Sequence, residues 1–385
     1  MDKYNLRGVS AQKNDVHNAV KSLDKGVFNN TFCKISSDLL CGDDAYVNIM
    51  HADGAGTKSS MAYLYWKETG DMRIWQDLVQ DAIVMNTDDM LCSGVSNNFL
   101  LSNTIGRNKH LIPGEILNEI IVGFEKFIDK MKAFDIQIKL TGGETADVGD
   151  LVKTLIIDST IIAREKKDEI INIQIQEGDA IIGLSSFGQA IYEEKYNSGI
   201  GSNGLTSARH DLLDPSYREK YPETFDQHTD IELIYGGKYK VNDPLANTPL
   251  TIGQAILSPT RTYLPLFQEL FKDYKKEIHG IIHCTGGGQT KVLKFLDKNL
   301  CVVKDNLFEI PPIFKGIKDL GYPLKEMYEV FNMGHRMEIY VPKKFQEHFL
   351  ESAEKYNIQA KVIGTVEQRT EERLQLYSDN ICLTY

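Results

Sequence analysis

Five short segments of this 385-residue chain join small residues to Asp, Glu, Asn or Thr. They are DGAGTK (53–58), NTDD (86–89), GGETAD (142–147), SNGLTSAR (202–209) and TGGG (285–288). Glycine lets backbone N–H groups come close to phosphate oxygens. Carboxylates hold Mg²⁺, which reaches protein through one or two of them plus phosphates. Together the segments suit a triphosphate with its magnesium. The loop HADGAGTKS (51–59) is not a Walker A loop, which needs four residues between its first glycine and a Gly-Lys pair, nor a Rossmann loop, which needs a third glycine. Asp88 and Asp89 sit among Met85, Met90, Leu91 and Cys92 near the end of a helical pattern. An Asp pair on a helix is commonly a solvated face. Carboxylates near a helix C-terminus oppose the macrodipole and call for a cation, which favours metal here. His283 is either a nucleotide contact or a hydrogen-bonded strand-end residue, and His51 is read as a packing residue.

The elements that must position these residues alternate along the chain. Tyr46–Ala52 reads as a strand running into the first glycine loop, and 71–93 as a helix stopped by Gly94. Phe99–Ile105 reads as a strand, and Pro113 opens an amphipathic helix with Ile116, Ile120, Phe124, Phe127 and Met131 on one face. Ile136–Leu140 is a short strand ending in TGGETAD, and Thr154–Ala163 another strand. The charged run 164–172 is the best linker. Beyond it lie a strand at 178–186, a helix over 259–274, a strand running into glycines at 279–288, a helix at 291–296, and a strand–helix–strand tail. Both halves are α/β, with 1–168 as one domain and 169–385 as the other. Residues 187–250 are polar and interrupted, and are expected to form a partly ordered, lid-like excursion that cannot bury enough apolar area to fold alone.

A chain this long with 42% hydrophobic residues can bury a sizeable core. The net charge of −11 argues against nucleic acid or an anionic membrane as the main partner. No apolar run approaches the roughly 18 residues of a membrane span, and the start of the chain lacks the apolar core of a signal peptide. A cytoplasmic protein is expected. The six cysteines form no CxxC pair, so reduced thiols are expected rather than zinc.

In order and spacing, DGAGTK, DAIVMNTDDMLCSG, LTGGETAD, SNGLTSAR, LSPTRTY (257–263), IHCTGGG (282–288) and FNMG (331–334) resemble the aminoimidazole ribonucleotide synthases, or phosphoribosylformylglycinamidine cyclo-ligases, of purine biosynthesis. The likeness runs from about residue 4 to 366. LSPTRTY and FNMG separate this branch from its ATP-using relatives. The chain departs from the pattern in five places, one being the excursion at 187–250, which is longer than the family norm. Residues 29–44 are nearly glycine-free, and Gly201 stands where the family has His. Asp88-Asp89 replaces Asn-Asp, and His335-Arg336 follows FNMG where small residues are usual. His335 is one candidate to stand in for the missing histidine.

The resemblance implies ATP and Mg²⁺, a two-domain α/β (α+β) fold, and a homodimer whose N-terminal halves pair. It implies Asp53 and Asp89 as metal ligands, and a nucleotide site of Gly54, Gly56, Thr57, Lys58, Gly142, Gly143, Glu144, Thr145, Thr285, Gly286 and Gly287. Lys58 would neutralise a phosphate, Asp89 and Glu144 would serve the chemistry, and Glu144 would reach the partner's nucleotide. Ser202, Asn203, Gly204, Arg209 and Arg261 are the candidates for the substrate phosphate, a structural ion pair being the alternative for each arginine. The implied reaction is ATP-dependent closure of the imidazole ring of formylglycinamidine ribonucleotide. Another phosphotransferase of the superfamily and a catalytically silent homologue are the alternatives.

Overall fold

The computed structural model describes residues 3–9, 19, 22–369 and 371–385. A first sheet takes β1 (Ile35–Ser37), β2 (Tyr46–Gly54), β3 (Phe99–Arg107), β4 (Ile138–Asp147) and β5 (Leu155–Lys166) in the order β1-β2-β5-β3-β4. Only β3 and β4 run parallel. β5 alternates as a half-buried strand should: Leu155, Ile157, Ser159, Ile161 and Ala163 point into the core. Its other face carries Ile156, Asp158, Thr160 and Ile162. Register places Met50, Ile162 and Leu100 in one row across β2, β5 and β3. Met50 and Leu100 are exposed, so this face has no cover among the described residues.

The inner face is covered by α2 (Ile74–Leu91), which follows α1 (Lys58–Thr69) and packs against α3 (Gly114–Lys132). α3 is amphipathic, with the buried stripe read from its sequence. α2 is buried nearly all round, including Asp81, Asn86, Thr87 and Asp88, because elements of the second half close over it. That is why its carboxylates act inside the protein rather than on a solvated face.

The second sheet uses β6 (Asp179–Ser185), β9 (Gly280–His283), β10 (Leu300–Lys304), β11 (His335–Pro342), β12 (Ala360–Gln368), β13 (Leu374–Ser378) and β14 (Ile381–Thr384). A two-residue pair, β7 (Phe187–Gly188) and β8 (Asn197–Ser198), stands apart. The seven-stranded order is β14-β13-β10-β12-β6-β11-β9. β6 is buried along its whole length, which suits its unbroken apolar run. Helices α4 (Leu205–Leu212), α5 (Ile252–Ile256), α6 (Leu264–Asp273) and α7 (Gln346–Lys355) complete the parts used below.

Several expectations need correction. The short strand read at 136–140 does not stop before GGETAD, which forms the second half of edge strand β4, where pairing with β3 keeps it extended. The helix expected over 259–274 begins only at Leu264, since Thr260 and Arg261 are drawn into contacts with Asp81 and Glu193. The 291–296 helix is a 3₁₀ segment, Gly288–Lys294. α1, β10, β13 and β14 had no counterpart in the sequence reading. Residues 187–250 do bury apolar surface. Leu212, Leu213, Tyr217, Tyr235 and Val241 are all inside, and His210, Tyr217, Phe225 and Tyr235 form one ring cluster. Its aromatic residues are spaced too irregularly for any period to reveal. No helix among the described residues is long and apolar enough to cross a membrane.

Candidate active site

Of the four carboxylates on α2, Asp81, Asp88 and Asp89 each meet different partners. Asp81 Oδ1 receives Lys58 Nζ at 2.8 Å, Ser202 Oγ at 2.8 Å and the backbone N–H of Thr260 at 3.0 Å. Lys58 also donates to the carbonyls of Ser258 at 2.6 Å and Gly201 at 3.3 Å. Its three protons are thereby used. Burial lowers its pKa, against the pull of Asp81. The sequence reading gave Lys58 to a phosphate; its protons are instead used inside the protein, where it ties two loops of the second half to α2.

Asp89 lies between two histidines. His283 Nδ1 is 2.6 Å from Oδ1, and His51 Nε2 is 3.2 Å from Oδ2. His51 is more than packing. Its Nδ1 lies 2.9 Å from Asn86 Oδ1, while the Asn86 amide nitrogen donates to Asp53 O, Ala82 O and Ser159 O. Both His51 nitrogens thus face acceptors, which requires an imidazolium. Burial opposes that charge, but Asp89 and Asn86 outweigh it and raise His51 to about 9. Burial likewise pushes Asp89 up, and its two histidine bonds overcome this and hold it below the ordinary carboxylate range. His283 is held down to about 4, by burial and then by Arg336. Asp88 pairs with Arg336 at 2.7 Å, yet burial keeps it raised to about 6.

Asp53 is exposed at the end of β2 and accepts the N–H of Gly54 at 2.7 Å. Across from Gly54 on β5 lies Asp158. A Cβ on residue 54 would come 1.8 Å from Asp158 Oδ1 and 2.6 Å from Ile157 O, so only glycine admits this approach. Burial and then Asp53 raise the Asp158 pKa. Two carboxylates that penalise each other's charge fit a divalent cation. Asp158 was missed because nothing in the LIIDSTII strand marks it; strand register alone brings it to Gly54.

Gly54, Asp158, Thr104 and Glu144 fall in one register row across β2, β5, β3 and β4. Three strand spacings put Glu144 about 14 Å from Gly54, beyond a shared cation. Thr145 follows on the same exposed strand, and Gly142 and Gly143 precede it. In the TGGG turn, Gly286, Gly287 and Gly288 have φ of 54°, 121° and 51°, a run of left-handed geometry that forms an open loop beside His283. Thr285 is buried against His283.

Of the expected phosphate residues, Ser202 is spent on Asp81 and Thr260. Asn203 precedes α4, and Gly204 starts it with φ 74°. Arg261 is fully enclosed in a bidentate pair with Glu193, at 3.0 and 2.6 Å, and donates to the carbonyls of Ser185 and Phe187. Its ion pair is structural, and it presents nothing to substrate. Arg209 donates to Thr224 O and Tyr235 Oη, but its Nε has no partner. It lines a cavity of about 340 Å³ together with Thr57, Ser60, Lys153 and Thr206. His335 does not replace the missing histidine: it is buried at 2.9 Å from Glu338. Cys284, His335 and Glu338 cluster tightly, but Lys304 is paired to Glu338 there and supplies the positive charge a metal would bring.

Two family models cover most of the chain. One, the AIR synthase related protein N-terminal domain, matches residues 42–164, and the AIR synthase related protein C-terminal domain matches 176–377. A phosphoribosylformylglycinamidine cyclo-ligase of Methanococcus vannielii is 31% identical over 342 residues, 88% of this chain and 83% of the relative. The protein of the same name from Methanocaldococcus jannaschii is 32% identical over 323 residues, 83% of this chain and 78% of the relative. The chain belongs to this family.

Solved structures extend the likeness of fold. AaThiL complexed with AMPPCP and TMP aligns with TM-score 0.54 at 12% identity, covering 96% of this chain and 93% of that one. Thermotoga maritima PurL complexed with ADP aligns with TM-score 0.53 at 12% identity over 99% of this chain, which spans about half (49%) of that longer protein. For a family member, the site divides into two regions. One is the Gly54 strand end with Asp53 and Asp158, and Asp89 stands apart from it on α2 between His51 and His283; the other is the Thr57–Thr206–Arg209 cavity beside the start of α1.

Proposed function

We propose that the chain is an ATP-dependent cyclo-ligase that closes the imidazole ring of formylglycinamidine ribonucleotide. The formamide oxygen takes the γ-phosphoryl group of ATP, the amidine nitrogen attacks the activated carbon, and phosphate leaves with the former oxygen. The attack is intramolecular, so the protein's work is positioning and charge neutralisation. Asp53 and Asp89 would hold Mg²⁺, which neutralises the triphosphate, and Asp158 would add its charge beside Asp53. Gly54, Gly56 and Thr57 would lie along the phosphates, with Thr285, Gly286 and Gly287 near the nucleotide. The substrate's own phosphate would enter the Arg209 cavity, where Thr57, Ser60 and Thr206 offer hydroxyls and Lys153 a charge.

The observation that carries the reading is the gathering of Asp53 and Asp158 at Gly54, a position with no room for a side chain. A homodimer is part of the proposal. The uncovered row Met50–Ile162–Leu100 would be buried by a second copy, and Glu144 would then serve the partner's nucleotide. A cytoplasmic enzyme with 1–168 and 169–385 as its domains completes it. Product analysis with formylglycinamidine ribonucleotide, ATP and Mg²⁺ tests it: aminoimidazole ribonucleotide, ADP and phosphate should form in equal amounts. ADP without the ring-closed product would instead favour a phosphotransferase with another acceptor.

A further inference from the structure

Arg336, at the start of β11, is only 2% exposed and leaves its own sheet to meet α2. Its guanidinium donates to Asp88 Oδ2 at 2.7 Å, to the carbonyl of Arg261 and to Nε2 of His283. It lies 5.2 Å from the centre of the Tyr263 ring. A guanidinium has no lone pair to offer, so it can only donate. Nε2 of His283 must therefore be the acceptor, and the ring proton must sit on Nδ1. That proton faces Asp89 Oδ1, 2.6 Å away. The donors run in one direction, from Arg336 through the imidazole to Asp89. The other tautomer would set N–H against N–H at Arg336 and a lone pair against the carboxylate at Asp89. Both contacts would then be repulsive.

We propose that Arg336 is a positioning residue: it locks His283 in the Nδ1–H tautomer, and His283 in turn holds Asp89 in the orientation that meets the nucleotide's cation. The last step rests on the assignment of Asp89 under the proposed function. Asp88 is the other half of the device, cancelling the buried guanidinium charge so that it does not repel a cation held by Asp89. Arg336 touches no reacting atom and acts only through the ring. Outer partners of this kind change metal affinity by about 10- to 100-fold when removed.

The test uses the double variant Arg336→Met/Asp88→Asn, which removes both charges together and avoids stranding a buried carboxylate. Nitrogen-15 NMR of histidine-labelled, metal-free protein reads the tautomer directly. Wild type should show His283 protonated at Nδ1; the double variant should lose that preference, and Arg336→Lys, which still only donates, should keep it. The Mg²⁺ concentration for half-maximal ATP turnover should rise about tenfold in the double variant, with a smaller change at saturating Mg²⁺. A His283 that stays Nδ1–H in the folded double variant would overturn the lock. A tautomer that switches with no change in Mg²⁺ requirement would overturn Asp89 as the cation ligand while leaving the lock standing.

Discussion

Lys58→Met separates two roles that the residue's place in a glycine loop leaves confounded. The ammonium is buried, paired to Asp81 at 2.8 Å, and bonded to the carbonyls of Ser258 and Gly201. Methionine keeps the stem's volume and removes the charge. Asp81 would then be a buried carboxylate with only hydroxyl and amide donors from Ser202 and Thr260. Removing one partner of a buried pair costs about 3–5 kcal/mol, or roughly 10²- to 10⁴-fold in the folded population. Urea unfolding followed by tryptophan fluorescence should show a large fall in midpoint. Adding Asp81→Asn removes the stranded charge and should restore most of the loss. If Lys58 instead neutralised a phosphate, the single variant would unfold like wild type and need far more ATP for half-maximal turnover. That combination would refute the tether.

Gly54→Ala should abolish ATP turnover while α2 and the second sheet remain folded, since the new methyl group must displace Asp158 or the Ile157 carbonyl; wild-type turnover would exclude a cation at this strand end. Ile162→Asp puts a charge in the middle of the Met50–Ile162–Leu100 row and should yield a monomer by analytical ultracentrifugation, with activity lost in parallel. An active monomer would show the site to be complete in one chain. Glu144→Ala and Asp89→Asn proteins, each inactive, should regain part of wild-type turnover when their subunits are exchanged, because some mixed dimers hold one intact site. His210 is buried beside Arg209 and Arg7, and burial, then these charges, hold its pKa well below 6.5. The unfolded state therefore binds the proton first, and its contribution to stability is present above about pH 6.5 and lost below it, at about 1.4 kcal/mol per pH unit. His210→Asn should make the unfolding midpoint less sensitive to pH between 6.5 and 5.5, and an unchanged slope would show that His210 is not neutral in the fold.

The amphipathic stripe of α3, the unbroken apolar run of β6 and the strand-to-glycine joints at 46–58 and 279–288 were all legible in the linear pattern. These features rest on local spacing, with neighbours three or four residues apart on a helix or two apart on a strand. Spacing also located the glycine segments and pointed to family membership. The strand at 136–140 was read too short because glycines follow it, while an adjacent strand holds GGETAD extended. α1 was missed because Lys58, Ser59 and Met61–Tyr65 are buried with no helical period, enclosed from several sides rather than one.

The fate of each charged side chain lay outside that reach. Lys58 meets Asp81 from 23 positions away and Ser258 from 200, and Arg336 meets Asp88 across 248. Asp158 reaches Gly54 only through the register of β2 on β5. Whether a lysine or arginine binds a ligand or holds the fold depends on whether a counter-charge is enclosed with it. Burial without one is prohibitive, so the residues that look most like phosphate binders in a linear reading are often the first to be claimed by the interior. Arg261, closed around Glu193, was claimed in this way. Arg209 kept one nitrogen free beside an open cavity, and that difference came from the packing of distant segments, which no local pattern records.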